Sequence, residues 1–285
     1  MNRRLVAAAG GTALSAALLL SGCGGGGGAE STGNMKLSAG QALLKTSQKT
    51  GEADTFKADL TVTGAGPQGS GEIRANGQFQ LRPTLRFSAR LDDLSRDGKS
   101  VPGAQGQAVF TGDALYAKVP QLAQFVSGGK PWVKIGVAEA SQRTGFDVQG
   151  LLSQVEKVDP AEQTTMFTGS KDARRVGTEK VDGVETTHYT GTVTVRDALA
   201  RLDAEAREKV SRRLPSDAAD SKIHFDVWID GENLPRKLVS KMDGDRGETG
   251  TVTVLYSDYG ESFTVNPPPA DQVGELSLGS PLGGD

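Results

Sequence analysis

Several stretches of this chain alternate apolar and polar side chains with a period of two, and that pattern limits the fold more than any other feature. Phe56, Ala58, Leu60 and Val62 share one face of a strand, opposed by Lys57, Asp59 and Thr61. Leu85, Phe87, Ala89 and Leu91 repeat the arrangement against Arg86, Ser88 and Arg90. Ile223, Phe225, Val227 and Ile229 do so against His224, Asp226 and Trp228, and Val252, Val254 and Tyr256 form a further set. Phe79 and Leu81 share a phase in the stretch 77–81, and 132–137 is another short strand. Such alternation puts one face in a core and the other in water, the habit of an antiparallel sheet. Four Asp-Gly pairs, starting at Asp97, Asp182, Asp230 and Asp243, suit tight turns between strands. The run Val181-Asp182-Gly183-Val184 reads as a two-residue hairpin.

Helical spacing appears between these strands. Residues 38–49 read as a helix with Leu43, Leu44 and Ser47 on one side. Asp147 is placed to cap a helix that carries Leu151, Leu152 and Val155 on one stripe. A longer helix is expected over 197–214, where Leu199, Leu202, Ala206, Val210 and Leu214 recur at helical intervals. Its apolar stripe should lie on a sheet face, and its charges should form a solvated face. Pro267 to Pro269 is expected to end the ordered domain, leaving 269–285 as a loose tail. No repeat and no Pro/Ser linker divides residues 37–268, so they are read as one domain.

The N-terminus reads as an address. Arg3 and Arg4 precede an uncharged apolar run, 5–20, which closes on Leu20-Ser21-Gly22-Cys23. Residues 1–22 have the pattern of a secretory signal peptide. The closing tetrapeptide resembles the lipobox of bacterial lipoproteins, and the resemblance implies that Cys23 is the acylated first residue of the mature chain. Residues 23–36 are then a lipidated Cys and a Gly-rich tether spanning about 20 Å as a random coil. Two acyl chains hold a protein on a bilayer stably, where one is marginal. The remainder has no second apolar run of membrane-spanning length, and is read as lying on the extracytoplasmic face of the cell membrane.

Composition works mainly by exclusion. Cys23 is the only cysteine in 285 residues, which excludes an intramolecular disulfide and any multi-Cys metal site. The net charge of -3 argues against a nucleic-acid partner. No nucleophile elbow, phosphate loop or dinucleotide fingerprint occurs. His188 and His224 fall on strands without ligands at metal-binding spacing, and Asp92-Asp93 reads as a surface pair. No cofactor, metal or catalytic residue is assigned. Tyr116-Ala117-Lys118 and Trp132-Val133-Lys134 allow two readings: aromatic and cationic groups for a sugar or phosphate, or amphipathic side chains on sheet edges.

The order of three further stretches is informative. They are 112–118 followed by Trp132-Val133-Lys134, then 181–189, then 225–230 continuing through Leu234-Pro235-Arg236-Lys237. Together with the lipobox they resemble the LolA-like lipoproteins of actinobacteria, the LppX/LprG group. The resemblance implies an α+β fold: a strongly curved antiparallel β-sheet, a half-barrel, with helices covering its concave face. It implies an apolar cavity for the acyl chains of a lipid or glycolipid, and a role in lipid transport or delivery in the cell envelope. The expected partners are membrane lipids or glycolipids, the cytoplasmic membrane and an envelope transport protein. The residues expected to line the pocket are Phe79, Leu81, Phe87, Phe110, Leu151, Leu152, Val155, Leu199, Leu202, Phe225 and Val227. Small residues on the inner face, Ala58, Ala89 and Gly191, either leave room for a ligand or let helices pack closely. The alternative function is an envelope sensor or scaffold that uses the same fold to bind a protein; an unrecognised hydrolase ranks last.

Overall fold

The computed structural model describes residues 38–118, 120, 123, 127–137, 159–211, 218–244 and 247–275. Helix α1 (Ala39–Gly51) opens this part of the chain. Ser38 caps it: the Ser38 hydroxyl accepts from the Gln41 amide at 3.3 Å, and Gln41 Oε1 accepts from the Ser38 amide at 3.0 Å. This reciprocal box satisfies two donors that the helix leaves unpaired. Ser38→Ala should cost about 1 kcal/mol, read as a lower urea midpoint. The buried side of α1 is Ala42, Leu43, Thr46 and Thr50, whereas Leu44 is 51% exposed. The expected stripe through Leu44 is therefore corrected. The helix turns Ala42 and Thr46 inward instead, and Ser47 meets Thr165 hydroxyl to hydroxyl at 2.5 Å.

Thirteen strands follow among the described residues. They are β1 (Thr55–Gly66), β2 (Gly69–Gln80), β3 (Arg86–Arg96), β4 (Lys99–Ser100), β5 (Gly106–Phe110), β6 (Ala114–Lys118) and β7 (Trp132–Gly136). After helix α2 (Pro160–Phe167) come β8 (Arg174–Val181) and β9 (Val184–Thr194), then helices α3 (Val195–Leu199) and α4 (Ala204–Ser211). The last strands are β10 (Lys222–Asp230), β11 (Pro235–Asp243), β12 (Thr249–Ser257) and β13 (Val273–Glu275). They form one open, curved sheet in the order β13-β7-β6-β5-β3-β2-β1-β12-β11-β10-β9-β8, with β4 paired to β3. Every pairing is antiparallel except β13 with β7. The fold class is the expected α+β one.

The turns divide into two kinds. Asp97-Gly98 and Asp182-Gly183 have positive φ at both residues, 49° and 72°, and 49° and 82°, as two-residue hairpins require. The other two pairs begin longer connections. Asp230 is buried, and its carboxylate accepts from the Glu232 and Leu234 amides, both at 2.9 Å, and from Arg236 Nε at 2.6 Å. Asn233, with φ 66°, takes the left-handed position there. After Asp243, the Gly244 amide donates to the Glu248 carbonyl at 2.7 Å across a wider loop.

The alternating faces become an inner and an outer side. Phe56, Ala58, Tyr256, Leu238, Val227 and Tyr189 join one core with Ala42 and Leu43 of α1 and Phe167 of α2. An aromatic row crosses four strands through register partners: Phe56 opposite Phe79, Phe79 opposite Phe87, Phe87 opposite Phe110. Successive ring centroids lie 5.2, 6.1 and 5.7 Å apart, within the range of favourable aromatic pairs.

Two expectations are corrected. The single helix over 197–214 is instead α3 and α4, with a break between them. Thr194 starts α3 early by accepting from the Asp197 amide at 3.0 Å. Arg207 then donates to the Leu199 and Leu202 carbonyls, at 3.1 and 3.0 Å, and satisfies groups that a continuing helix would have used. Leu202 is buried in the break and Leu199 is half-buried. Pro267 to Pro269 does not end the order either. Phe263 and Val265 cover Val109, Tyr116 and Trp132 on the outer face, in a second small apolar cluster with Val273. Residues 270–272 form a 3-10 turn, and β13 pairs with the otherwise open edge of β7. The physical reason is that the outer face of β5–β7 carries apolar side chains, which the strap shields from water.

Candidate functional site

The inner face holds an apolar groove between α2 and strands β10–β12. Asp159 accepts from the Ala161 amide at 2.8 Å, and Pro160 occupies the first helical turn, so this short helix is fixed at its start. Gln163, Met166 and Phe167 form one wall. The other wall follows the register of the sheet: Ile223 lies opposite Met242, and Met242 opposite Gly250; Phe225 lies opposite Ser240, and Ser240 opposite Val252. Gly250 presents no side chain, so the floor is thin between Met242 and Val252. The groove encloses about 440 Å³. Beneath it Phe225 stacks on Phe167, with centroids 4.3 Å apart and planes 9° from parallel. Met242 is 40% exposed, an open thioether at the mouth.

The residues expected to line a pocket fall into three groups. Phe79, Phe87 and Phe110 are buried in the aromatic row, and Leu81 is half-buried beside them. Phe225 supports the groove from below, and Val227 is in the core. Leu199 and Leu202 lie around the α3–α4 break. Leu151, Leu152 and Val155, with the helix expected after Asp147, lie outside the described residues, as does Cys23. The groove is instead lined by Met166, Phe167, Ile223, Met242 and Val252. Ile223 and Val252 were visible as members of alternating sets. The Asp-Pro cap before α2 was the missed signal for the opposite wall.

Of the small inner residues, Gly191 answers neither of the two readings made of it, and Gly77 on β2 behaves in the same way. A Cβ on Gly191 would sit 2.7 Å from the Phe225 ring and 2.8 Å from Ser170 Oγ. A Cβ on Gly77 would sit 2.9 Å from the Phe79 ring. Aromatic rings of neighbouring sheet residues fold over these positions. Burial pushes the pKa of Tyr189 and Tyr256 up, so both phenols stay neutral in the core.

The histidines lie on the outer face. His188 stacks on Trp228 at 4.2 Å, with Nε2 2.8 Å from Asp226 and Nδ1 3.2 Å from Glu179. Lys237 sits over the other side of Trp228, 4.5 Å from the ring centroid. Both ring nitrogens of His188 thus face carboxylates, an arrangement that orients the ring and leaves no nitrogen facing a nucleophile. His224 Nδ1 lies 3.1 Å from the Thr192 hydroxyl. Among the described residues no group of three His, Cys, Asp or Glu is placed to hold a metal ion, and no helix is long and apolar enough to cross a membrane.

A second pocket, of about 470 Å³, opens on the outer face between β1–β5 and the strap, where Asn266, Pro268 and Pro269 overhang the sheet. Asp59 stands at its edge. Burial, with Asp92 and Asp182 nearby, pushes the Asp59 carboxyl up. Ionising it therefore costs more in the folded chain than in the unfolded one. Asp59→Asn should raise the thermal midpoint at pH 7. The gain should vanish below the ordinary Asp pKa of about 3.9, where Asp59 is protonated in both states.

No family model matches the chain. It is similar to an uncharacterised 31.2 kDa protein encoded between rplA and rplJ in Streptomyces griseus, 28% identical over 242 residues, 82% of this chain and 78% of that protein. It is also similar to a Streptomyces coelicolor protein that carries a lipoprotein name, 29% identical over 167 residues, 58% of this chain and 49% of that protein. Among solved structures, LprF from Mycobacterium bovis has a TM-score of 0.48 at 18% identity, covering 81% of this chain and 96% of LprF. The Mycobacterium tuberculosis lipoprotein LppX has a TM-score of 0.42 at 19% identity, covering 79% and 97%. The open curved sheet with helices on its inner face is the architecture that the sequence led us to expect.

Proposed function

We propose that this chain is a lipid-anchored envelope protein that takes up an acyl chain in the groove between α2 and β10–β12. The observation that carries the reading is the groove itself, walled by Met166, Phe167, Ile223, Met242 and Val252. A methylene is about as large as a water molecule, roughly 30 Å³. The 440 Å³ of the groove then suits one chain of about 15 carbons. Burying such a chain contributes on the order of 10 kcal/mol before entropic costs. The bilayer offers the same environment, so exchange with a membrane runs in both directions. Acylation at Cys23 and a tether over 24–36 keep the domain near that surface and raise its effective concentration there. Delivery of lipid or glycolipid within the envelope follows as the biological role.

The test is native mass spectrometry of the full chain carrying Cys23→Ala, isolated from its own host. A co-purified lipid, or stoichiometric uptake of palmitate, is the expected result. A protein that is empty and also fails to take up palmitate would overturn the reading, and would favour an envelope scaffold that binds a protein.

A further inference from the structure

We propose that the pocket on the outer face of the sheet is a second binding site, and that its ligand is a neutral glycan chain. The pocket is separate from the acyl-chain groove because strand alternation puts them on opposite sides. The two linings share no residue. Val252 lines the groove and packs against the inner core, whereas Lys57, Asp59, Ser88 and Arg90, which alternate with the core-facing Ala58 and Ala89, line the outer pocket, with Ala58 and Ala89 also in its lining. Register assembles those side chains from four strands. Asp59 lies opposite Asn76, Asn76 opposite Arg90, and Arg90 opposite Gln107; in the next row Gln78 lies opposite Ser88.

The strap makes this surface a pocket. Val265 is buried against Val109 and Trp132, and β13 ties the far end of the strap to β7. The Lys130 ammonium also donates to the Asp271 carbonyl. Asn266, Pro268 and Pro269 are thereby held over the sheet. Trp132 contributes an apolar side chain to the wall, with the Lys118 ammonium 5.9 Å from its ring centroid.

The chemistry of the lining selects the ligand. Gln78, Gln107 and Asn266 are amides, and Ser88 is a hydroxyl; each both donates and accepts. None of these four makes a side-chain hydrogen bond to another described residue. Charges are present but balanced: Lys57 is paired to Asp258 at 2.6 Å, and Asp59 and Arg90 carry opposite signs. A lining of this kind has no surplus positive charge for a phosphate, and too many polar groups for hydrocarbon. Sugar hydroxyls donate and accept in the same mixed fashion, and the apolar face of a sugar ring suits an indole wall. The volume falls within the ordinary range for a small ligand site.

The experiment uses the full chain carrying Cys23→Ala. Maltotetraose, cellotetraose, chitotetraose and α-mannotetraose are titrated by calorimetry. In parallel, Trp132 emission is followed in a Trp228→Phe background, which leaves one tryptophan. At least one oligosaccharide is expected to bind with a dissociation constant of about 1 mM or tighter and to shift that emission. Gln78→Ala with Arg90→Ala should weaken it about tenfold, equal to about 1.4 kcal/mol, while palmitate uptake is unchanged. Gln107→Ala gives the same direction from another strand. The proposal is overturned if none of the four binds at about 10 mM, if binding survives all three substitutions, or if inorganic phosphate binds more tightly than every glycan.

Discussion

Phe87→Ala is expected to lower the stability of the folded chain by about 3–5 kcal/mol, seen as a large fall in the urea midpoint with little change in slope. Phe87 is the third ring of a row that crosses β1, β2, β3 and β5, and it is 1% exposed. Truncation removes its own burial and also the contacts of Phe79 and Phe110, at 6.1 and 5.7 Å. The site cannot collapse, because the positions on both sides are fixed by strand register. The cavity cost therefore adds to the transfer cost. Leu44→Ala is the matched control. Leu44 is half exposed on α1, so its truncation should change stability by less than about 0.5 kcal/mol. Equal effects at the two positions would contradict the assignment of the inner face.

Ile223→Asp is expected to weaken palmitate binding about a hundredfold while the chain stays folded. Ile223 is half-buried at the wall of the groove, opposite Met242, so a carboxylate there can still reach water. In the loaded groove that carboxylate would lie against hydrocarbon. It would deny the chain a length of about four methylenes, worth about 3 kcal/mol at 0.8 kcal/mol each. That loss corresponds to the hundredfold change. Ile223→Leu keeps the apolar wall and should bind as the original does. The measurement is a titration with a fluorescent fatty acid, alongside circular dichroism to confirm the fold. Unchanged affinity in the Asp variant would place the acyl chain elsewhere.

The sheet was legible in the sequence because a period of two survives in a single chain without any knowledge of partners. Phe56, Ala58, Phe87, Phe225 and Val227 all face inward as their alternation requires. The positive φ at Asp97 and Asp182 was equally local, since an Asp-Gly pair suits a tight hairpin by itself. The failures came from tertiary choices. Which of the inward residues meet empty space depends on where α2 lies, and no residue of β10 or β12 encodes that. Phe225, expected to line the pocket, lies stacked on Phe167 of α2, a contact its own strand does not encode. The stripe over 197–214 is helical in period, yet Arg207 reaches back to the Leu199 and Leu202 carbonyls and splits it. The strap after Ser257 has no periodic signal and is held by Val109, Tyr116 and Trp132 on the outer face, which only the fold brings together.

Photo-crosslinking tests the central claim most directly, with a palmitate analogue bearing a diazirine near the end of its tail. The full chain with Cys23→Ala is loaded, irradiated, digested and read by peptide mass spectrometry. The account predicts adducts on peptides that contain Met166-Phe167, Ile223 and 240–252, lost in the Ile223→Asp variant. Adducts confined to the outer face, around Trp132 or Trp228, would contradict it, and so would crosslinking that the Ile223→Asp variant leaves unchanged.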